Sequence, residues 1–337
     1  MNQNEAVFRD APVRTAVVRM AVPTVISSLV LVIYNMADTF FVGQTHDAIQ
    51  VAAVSLTNPV FILTLNMGTA GAAIATVLGN VCGCIYYVWY FMRRSSMLSI
   101  HPRHLRGDKH QMVQVVTIGI PAGVNSALMS IATVLLNNAL VQYGDDPVAA
   151  MGIVTKAYLF IVFIHMGITN GIQPLLGYCF GAGLRRRFLD ILKFSGILTV
   201  VCGTALSAVY IIFSRQIVAL FIDDASVITY GGPMLIATSI AGPILGLLFL
   251  SINSMQALGR PLPATMLSVC RQGLIFIPLL YILDAGFGLS GINFTQAVAD
   301  YISIVLAIIL LVQTLKAFKG KSESEKSLHI SQTASTL

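Results

Sequence analysis

The feature that most limits what this chain can fold into is a series of long apolar runs carrying almost no charge. They lie at 17–42, 68–92, 112–143, 148–182, 190–213, 229–258, 262–283 and 289–315. Each reaches the roughly 20 residues that a helix needs to cross a bilayer. Inside lipid every backbone amide must find its partner within the protein, and a continuous helix does this along its own length. Charged residues are only 10% of the 337, against about 25% in a soluble domain. The sequence therefore predicts an all-α integral membrane protein with about eight transmembrane helices. The run 51–67 is apolar but short and is broken by Asn58-Pro59, so it reads as a re-entrant or hybrid segment.

Charge placement sets the expected topology. The net charge of +6 does not point to nucleic acid, because the basic residues form short clusters between apolar runs. With eight spans and a cytoplasmic N-terminus, the clusters around Arg14, Arg93–Arg94, Arg103, Arg185–Arg187, Arg260 and Lys316–Lys326 all fall inside. Arg215 is then the one basic residue left outside, while Lys156 and Arg271 lie within spans. Counting 51–67 as a further span would spoil this asymmetry, which the positive-inside rule favours. Both termini are expected in the cytoplasm of a multi-pass cell-membrane protein. The polar stretch 93–111 reads as a cytoplasmic linker and the Ser/Lys/Glu-rich stretch 319–337 as a disordered tail. The first apolar run ends without a small-residue cleavage pattern and does not read as a signal peptide.

An internal repeat organises the runs. Pro23 in MAVPTVISS matches Pro121 in IGIPAGVNS, Val51-Ala52-Ala53 matches Val148-Ala149-Ala150, and Gly68/Gly71 match Gly288/Gly291. The first two pairs are offset by 98 and 97 positions, the last by 220. Relative to the second half, the first therefore lacks about 120 residues from its middle. The expected organisation is a truncated N-terminal helical bundle over 1–92, the linker at 93–111, and a complete six-helix bundle over 112–318. Repeat-built transporters hold their substrate between two such halves.

These segments also carry a resemblance. PTVISSLVLVIYNMADTFFVG at 23–43, GAAIATVLGN at 71–80, GIPAG at 119–123, QPLLGYCFGAG at 173–183, QALGRP at 256–261 and RQGLIFIPL at 271–279 resemble the multidrug and toxic compound extrusion (MATE) transporters. The resemblance covers nearly the whole chain. It implies two bundles of six helices and export of cationic or amphipathic compounds in exchange for sodium ions or protons. On that reading the first bundle keeps its first and sixth helices and is joined near Thr57-Asn58-Pro59. The family often has Asp where Asn58 stands, so this chain lacks a second carboxylate at the expected cation site.

The residues that could carry coupling follow from burial cost and from that resemblance. An ionisable group inside a span is expensive and usually functional, and a desolvated carboxyl binds a proton more readily than a wet one. Asp38 stands out on both grounds. The resemblance makes it the coupling carboxylate, and the metal ligand if the ion is sodium. A passive, wet position near the outer helix end is the alternative. Asn35, Asn58 and Thr76 could add neutral oxygens to a cation site or act as interhelical hydrogen-bonding residues. Arg271 and Asp300, on consecutive spans, are expected to pair, serving either structure or transport. His165 reads as a hydrogen-bonded packing residue. The five cysteines lie in apolar runs and form neither a disulfide framework nor a zinc spacing.

No cofactor is expected beyond a proton or sodium gradient. Gly286–Gly291 fits G-x-G-x-x-G formally but follows no βαβ unit, and no Walker A sequence is present. The expected partners are small cationic or amphipathic substrates and membrane lipid, with no nucleic acid, for a monomeric protein. No nucleophile–base pair, paired carboxylates or metal cluster supports an enzyme. A non-transporting remnant and a lipid-linked oligosaccharide flippase are the rival readings.

Overall fold

The computed structural model describes residues 11–43, Val81, Ile85 and 109–334, with side-chain surroundings for 11–31, Val81, Ile85 and 123–315. The described residues are all helix and short turn. In chain order they form α1 (Val13–Gly43), α2 (Lys109–Val141), α3 (Asp145–Gly181), α4 (Arg185–Ile212) and a short α5 (Ser214–Ala219). Then follow α6 (Ala225–Ser239), α7 (Gly242–Ala257), α8 (Pro261–Val269), a π-helical turn (Cys270–Ile275), α9 (Phe276–Phe287) and α10 (Leu289–Ala334). Among the described residues, six helices are long and apolar enough to cross a membrane, or seven if the bent pair α6–α7 counts as one span. The chain is an all-α integral membrane protein.

The helices end where local chemistry ends them. Gly183 and Gly259 have positive φ and stand just past the ends of α3 and α7, in the conformation that terminates helices most cheaply at glycine. Asp224 caps α6 by accepting from the Ser226 and Val227 amides. These bonds, led by those from Ser226, hold its carboxyl below the usual carboxylate range. Between α6 and α7 the axis turns by 48°. Pro243 lies in the first turn of α7 and has no amide to continue the ladder from α6. The run 229–258, expected as one span, is thus a bent pair.

Two other boundaries differ from the sequence expectation. The stretch 319–337 was expected to be a disordered tail, but α10 continues as helix to Ala334. The residues beyond Lys319 are mostly tolerant of helix, with one glycine and no proline. The linker expected over 93–111 gives way to helix at Lys109, since nothing in Lys-His-Gln opposes an early start. The expected span 68–92 and the segment 51–67 lie outside the described residues, apart from helical Val81 and Ile85.

Two apolar cores hold the assembly. The larger joins α2 through α10, with Leu140, Ile161, Met234, Leu235, Leu245 and Met255 fully enclosed. The smaller packs the start of α1, through Ala16, Val17 and Ala21, against Ile168, Ile172, Leu175 and Cys179 of α3 and Phe188 and Ile191 of α4. In lipid the hydrophobic effect does little to join helices, and close van der Waals packing must do more.

The α1–α3 crossing shows how close that packing is. A Cβ added at Gly167 would lie 2.7 Å from Val25 Cα, and one at Gly171 would lie 2.6 Å from the Met20 carbonyl oxygen and 2.9 Å from Ala21 Cα. Gly167-x-x-x-Gly171 therefore lets the α1 backbone lie directly on α3, and the order of contacts makes the helices antiparallel. Thr24 closes the seam by donating to the Gly167 carbonyl at 2.6 Å. Gly171→Ala should destabilise the protein by about 1–3 kcal/mol, the usual cost of overpacking. Gly177→Ala on the same helix, whose new Cβ would meet nothing within 4 Å, should be neutral or mildly stabilising. Thermal unfolding in detergent compares the two, and equal midpoints would show that the crossing is looser than this geometry.

Candidate functional site

The expected coupling residues divide by position. Asp38 and Asn35 lie on α1, beyond the Thr24 crossing. At 1.5 Å per residue, Asp38 is about 21 Å further along the helix than Thr24. Asn58 and Thr76 lie outside the described residues. Among the described residues no group of three His, Cys, Asp or Glu side chains could hold a metal ion.

Arg271 and Asp300 come together. Arg271 sits on the π-helical turn, and its Nε donates to Asp300 Oδ1 at 2.6 Å. Gln296, one turn before Asp300 on α10, donates to the same oxygen at 3.0 Å. The Arg271 guanidinium also lies 5.8 Å from the centre of the Phe249 ring of α7, within the range of a cation–π contact. Exposure is 13% for the Arg271 side chain and 1% for Asp300, so this is a buried pair. Asp300 Oδ2 and the Tyr158 hydroxyl of α3 are buried with no hydrogen-bond partner, and Tyr158 lies near enough to feel both charges. Four elements thus converge on one neutral ion pair in the larger core. Single-turn π segments are rare and occur frequently at functional sites, and this one carries Arg271.

His165 is another enclosed polar residue of the larger bundle. Its Nδ1 is 2.8 Å from the Ile161 carbonyl and its Nε2 is 3.2 Å from the Thr199 carbonyl. Gly203 of α4 and Gly246 of α7 leave the space that the ring fills: a Cβ at Gly203 would be 2.9 Å from Nε2. Both ring nitrogens face carbonyl oxygens and the ring is fully buried, the surroundings of a packing residue that fastens α3 to α4.

Known proteins place this architecture. The MatE family model matches residues 121–282, most of the six-helix region. The multidrug export protein MepA of Staphylococcus aureus (strain NCTC 8325 / PS 47) is 32% identical over 263 residues, covering 77% of this chain and 57% of that protein. The chain belongs to the MATE family. A MepA from Staphylococcus saprophyticus is 29% identical over 257 residues, covering 76% of this chain and 56% of the relative. The chain thus spans somewhat over half the length of these relatives.

Among solved structures, the MATE fold is matched in two states. An outward-facing multidrug resistance MATE family transporter superposes with a TM-score of 0.68 at 18% identity, covering 80% of this chain and 63% of the other. The inward-facing conformation gives 0.67 at 18% identity, covering 80% and 62%. At that identity the likeness speaks for the fold alone. MATE family members are transporters rather than enzymes, and in this member the Gly167/Gly171 seam is the feature the sequence reading did not single out. The small-x-x-x-small spacing of GITNG was visible, but its partner on α1 was not.

Proposed function

We propose that the chain is a secondary active transporter that exports small cationic or amphipathic compounds in exchange for protons or sodium ions. The observation that carries this reading is the 32% identity over 263 residues with a protein named for multidrug export. The fold gives it physical support. A helix of the first repeat, α1, is docked on a helix of the second, α3, so a seam between repeats exists for substrate and ion sites to share. Asp38 lies on that same α1 and is the group assigned to couple cation movement to export. Alternating access would then be a rocking of the two halves, with cation binding at Asp38 shifting the population between states. Both termini face the cytoplasm on this reading, and the protein works as a monomer without cofactor.

Purified protein in liposomes tests the proposal. With ethidium as the transported probe, an imposed proton or sodium gradient should drive it against the direction of cation flow. Movement under one gradient only would also identify the coupling ion. No movement under either would overturn the transport reading and favour a remnant, consistent with a chain spanning 57% of its relative's length.

A further inference from the structure

The bend between α6 and α7 leaves main-chain groups short of partners in the middle of a span. α6 has 15 residues and α7 has 16, so about 23 Å of helix lies on either side of the break. Up to the break the helical ladder is intact, with the Ile240 amide donating to the Ile236 carbonyl at 3.2 Å. Beyond it the ladder restarts at Ala241, whose carbonyl accepts from the Ile244 and Leu245 amides at 3.1 and 3.0 Å. Between the two, among the described residues, the Ala241 amide donates to no main-chain carbonyl and the Ile240 carbonyl accepts from no main-chain amide. The Ser239 carbonyl loses its usual helical donor because residue 243 is proline.

Side chains near the break do not close it. Tyr301 of α10 reaches the Ile240 carbonyl only at 3.4 Å, a long and weak bond. Ser207 of α4 is 4% exposed, and a Cβ added at Gly242 would collide with its hydroxyl oxygen, so Ser207 faces the first residue of α7. Ser239, the last residue of α6, is fully buried. Both hydroxyl oxygens lack a hydrogen-bond partner. Other buried serines of this bundle behave differently: Ser254 and Ser303 donate to the carbonyl four residues back, at 2.6 and 2.7 Å. Ala241 is fully buried too, and lipid offers an unpaired amide nothing.

The chemistry of these groups selects the guest. They comprise one amide donor, two carbonyl acceptors and two hydroxyls that can do either. No charged residue lies on α6, on α7 or in 194–212 of α4, and Asp300, next to Tyr301, is already held by Arg271 and Gln296. A bare cation would be repelled by the amide N–H, and an anion by the carbonyls. Water donates twice and accepts twice, and buried water is stable where it makes about three such bonds.

We propose that the α6–α7 break is a water-binding site, in which an ordered water joins the Ser207 and Ser239 hydroxyls to the main-chain groups freed at 239–241. The water replaces the helical bonds that the bend removes. It thereby lets one span hold two segments 48° apart at a depth where unpaired backbone is costly. The inference concerns the folded chain alone and stands whether or not the chain transports.

Water-edited solid-state NMR of the full chain in phospholipid tests this, with isotope labels on serine and alanine. Polarisation from water protons should reach Ser207, Ser239 and Ala241. It should not reach Ser254 or Ser303, which are equally buried but bonded to their own helices. Ser207→Val puts apolar bulk in place of the hydroxyl and should cut the transfer to Ser239 and Ala241 by about threefold or more, since the water loses one of its roughly three bonds and much of its room. Ser207→Thr keeps the hydroxyl and should preserve the transfer. A parent with no transfer to Ser239 and Ala241 would overturn the proposal, because the break would be dry. Equal transfer to Ser254 and Ser303 would overturn it as well, because water would then pervade the bundle. So would unchanged transfer in Ser207→Val. Replacing choline by sodium in the buffer should leave the Ser239 and Ala241 signals where they are; a shift of either would make the guest a cation and overturn the assignment to water.

Discussion

Arg271→Met should destabilise the protein by about 3–5 kcal/mol, the usual result of removing one partner from a buried ion pair. Asp300 would be left fully enclosed with Gln296 as its only described donor. Asp300→Asn should do nearly as much harm, because Arg271 would keep its charge with only the Phe249 ring and neutral amides nearby. The loss should appear as a fall of roughly 10 °C in the unfolding midpoint, read by heating in detergent followed by size exclusion. The informative variant is the double one. Arg271→Met with Asp300→Leu removes both charges together and replaces them with apolar bulk, so it should recover most of the loss. Single variants within about 1 kcal/mol of the parent would show that the pair is wetter than its geometry. A double variant as damaged as the singles would show that the pair does more than balance charge. The unpartnered Asp300 Oδ2 and Tyr158 hydroxyl would then be the first atoms to suspect.

That pair was legible before the fold because charge in a span is rare enough to draw attention. Lys156, Arg271 and Asp300 are conspicuous in apolar surroundings, and two of opposite sign on consecutive helices have an obvious partner. The spans were legible for the same reason: lipid demands long apolar runs, and nothing else in a sequence looks like them. What could not be read were contacts made by residues that are ordinary one at a time. Gly167, Gly171, Gly203 and Ser207 are unremarkable in an apolar helix. They acquire meaning only when α1 lies on α3 and when α4 meets the start of α7, and both are tertiary facts. The bend between α6 and α7 sits between these extremes. Gly242-Pro243 marks it in the sequence, but proline within a span is common enough to leave the axis undecided: α1 carries Pro23 and α3 carries Pro174 without a break.

Asp38→Asn should abolish gradient-driven export while leaving folding and ligand binding nearly intact. The substitution keeps the shape of the side chain and its ability to hydrogen-bond, but removes the charge that would hold sodium and the group that would take up a proton. Any effect on stability should be small, because the substitution keeps the size and shape of the side chain on α1. The expected signature is a separation of two readouts: ethidium binding within about twofold of the parent, and ethidium movement in liposomes reduced to the leak under both proton and sodium gradients. Asn58→Asp is the converse experiment. If the family's second carboxylate is what this chain lacks, restoring it should raise transport above the parent, and it should fail to do so when Asp38→Asn is also present. Coupling requires that the two conformations differ in their affinity for the cation, since a ligand bound equally by both shifts nothing. A carboxylate on a helix fastened to the opposite repeat can meet that requirement: movement of the rest of the first repeat past α1 would change what surrounds Asp38, while the Thr24–Gly167 bond keeps α1 in place. Robust export by Asp38→Asn would remove Asp38 from the mechanism and place the energy coupling elsewhere in the chain.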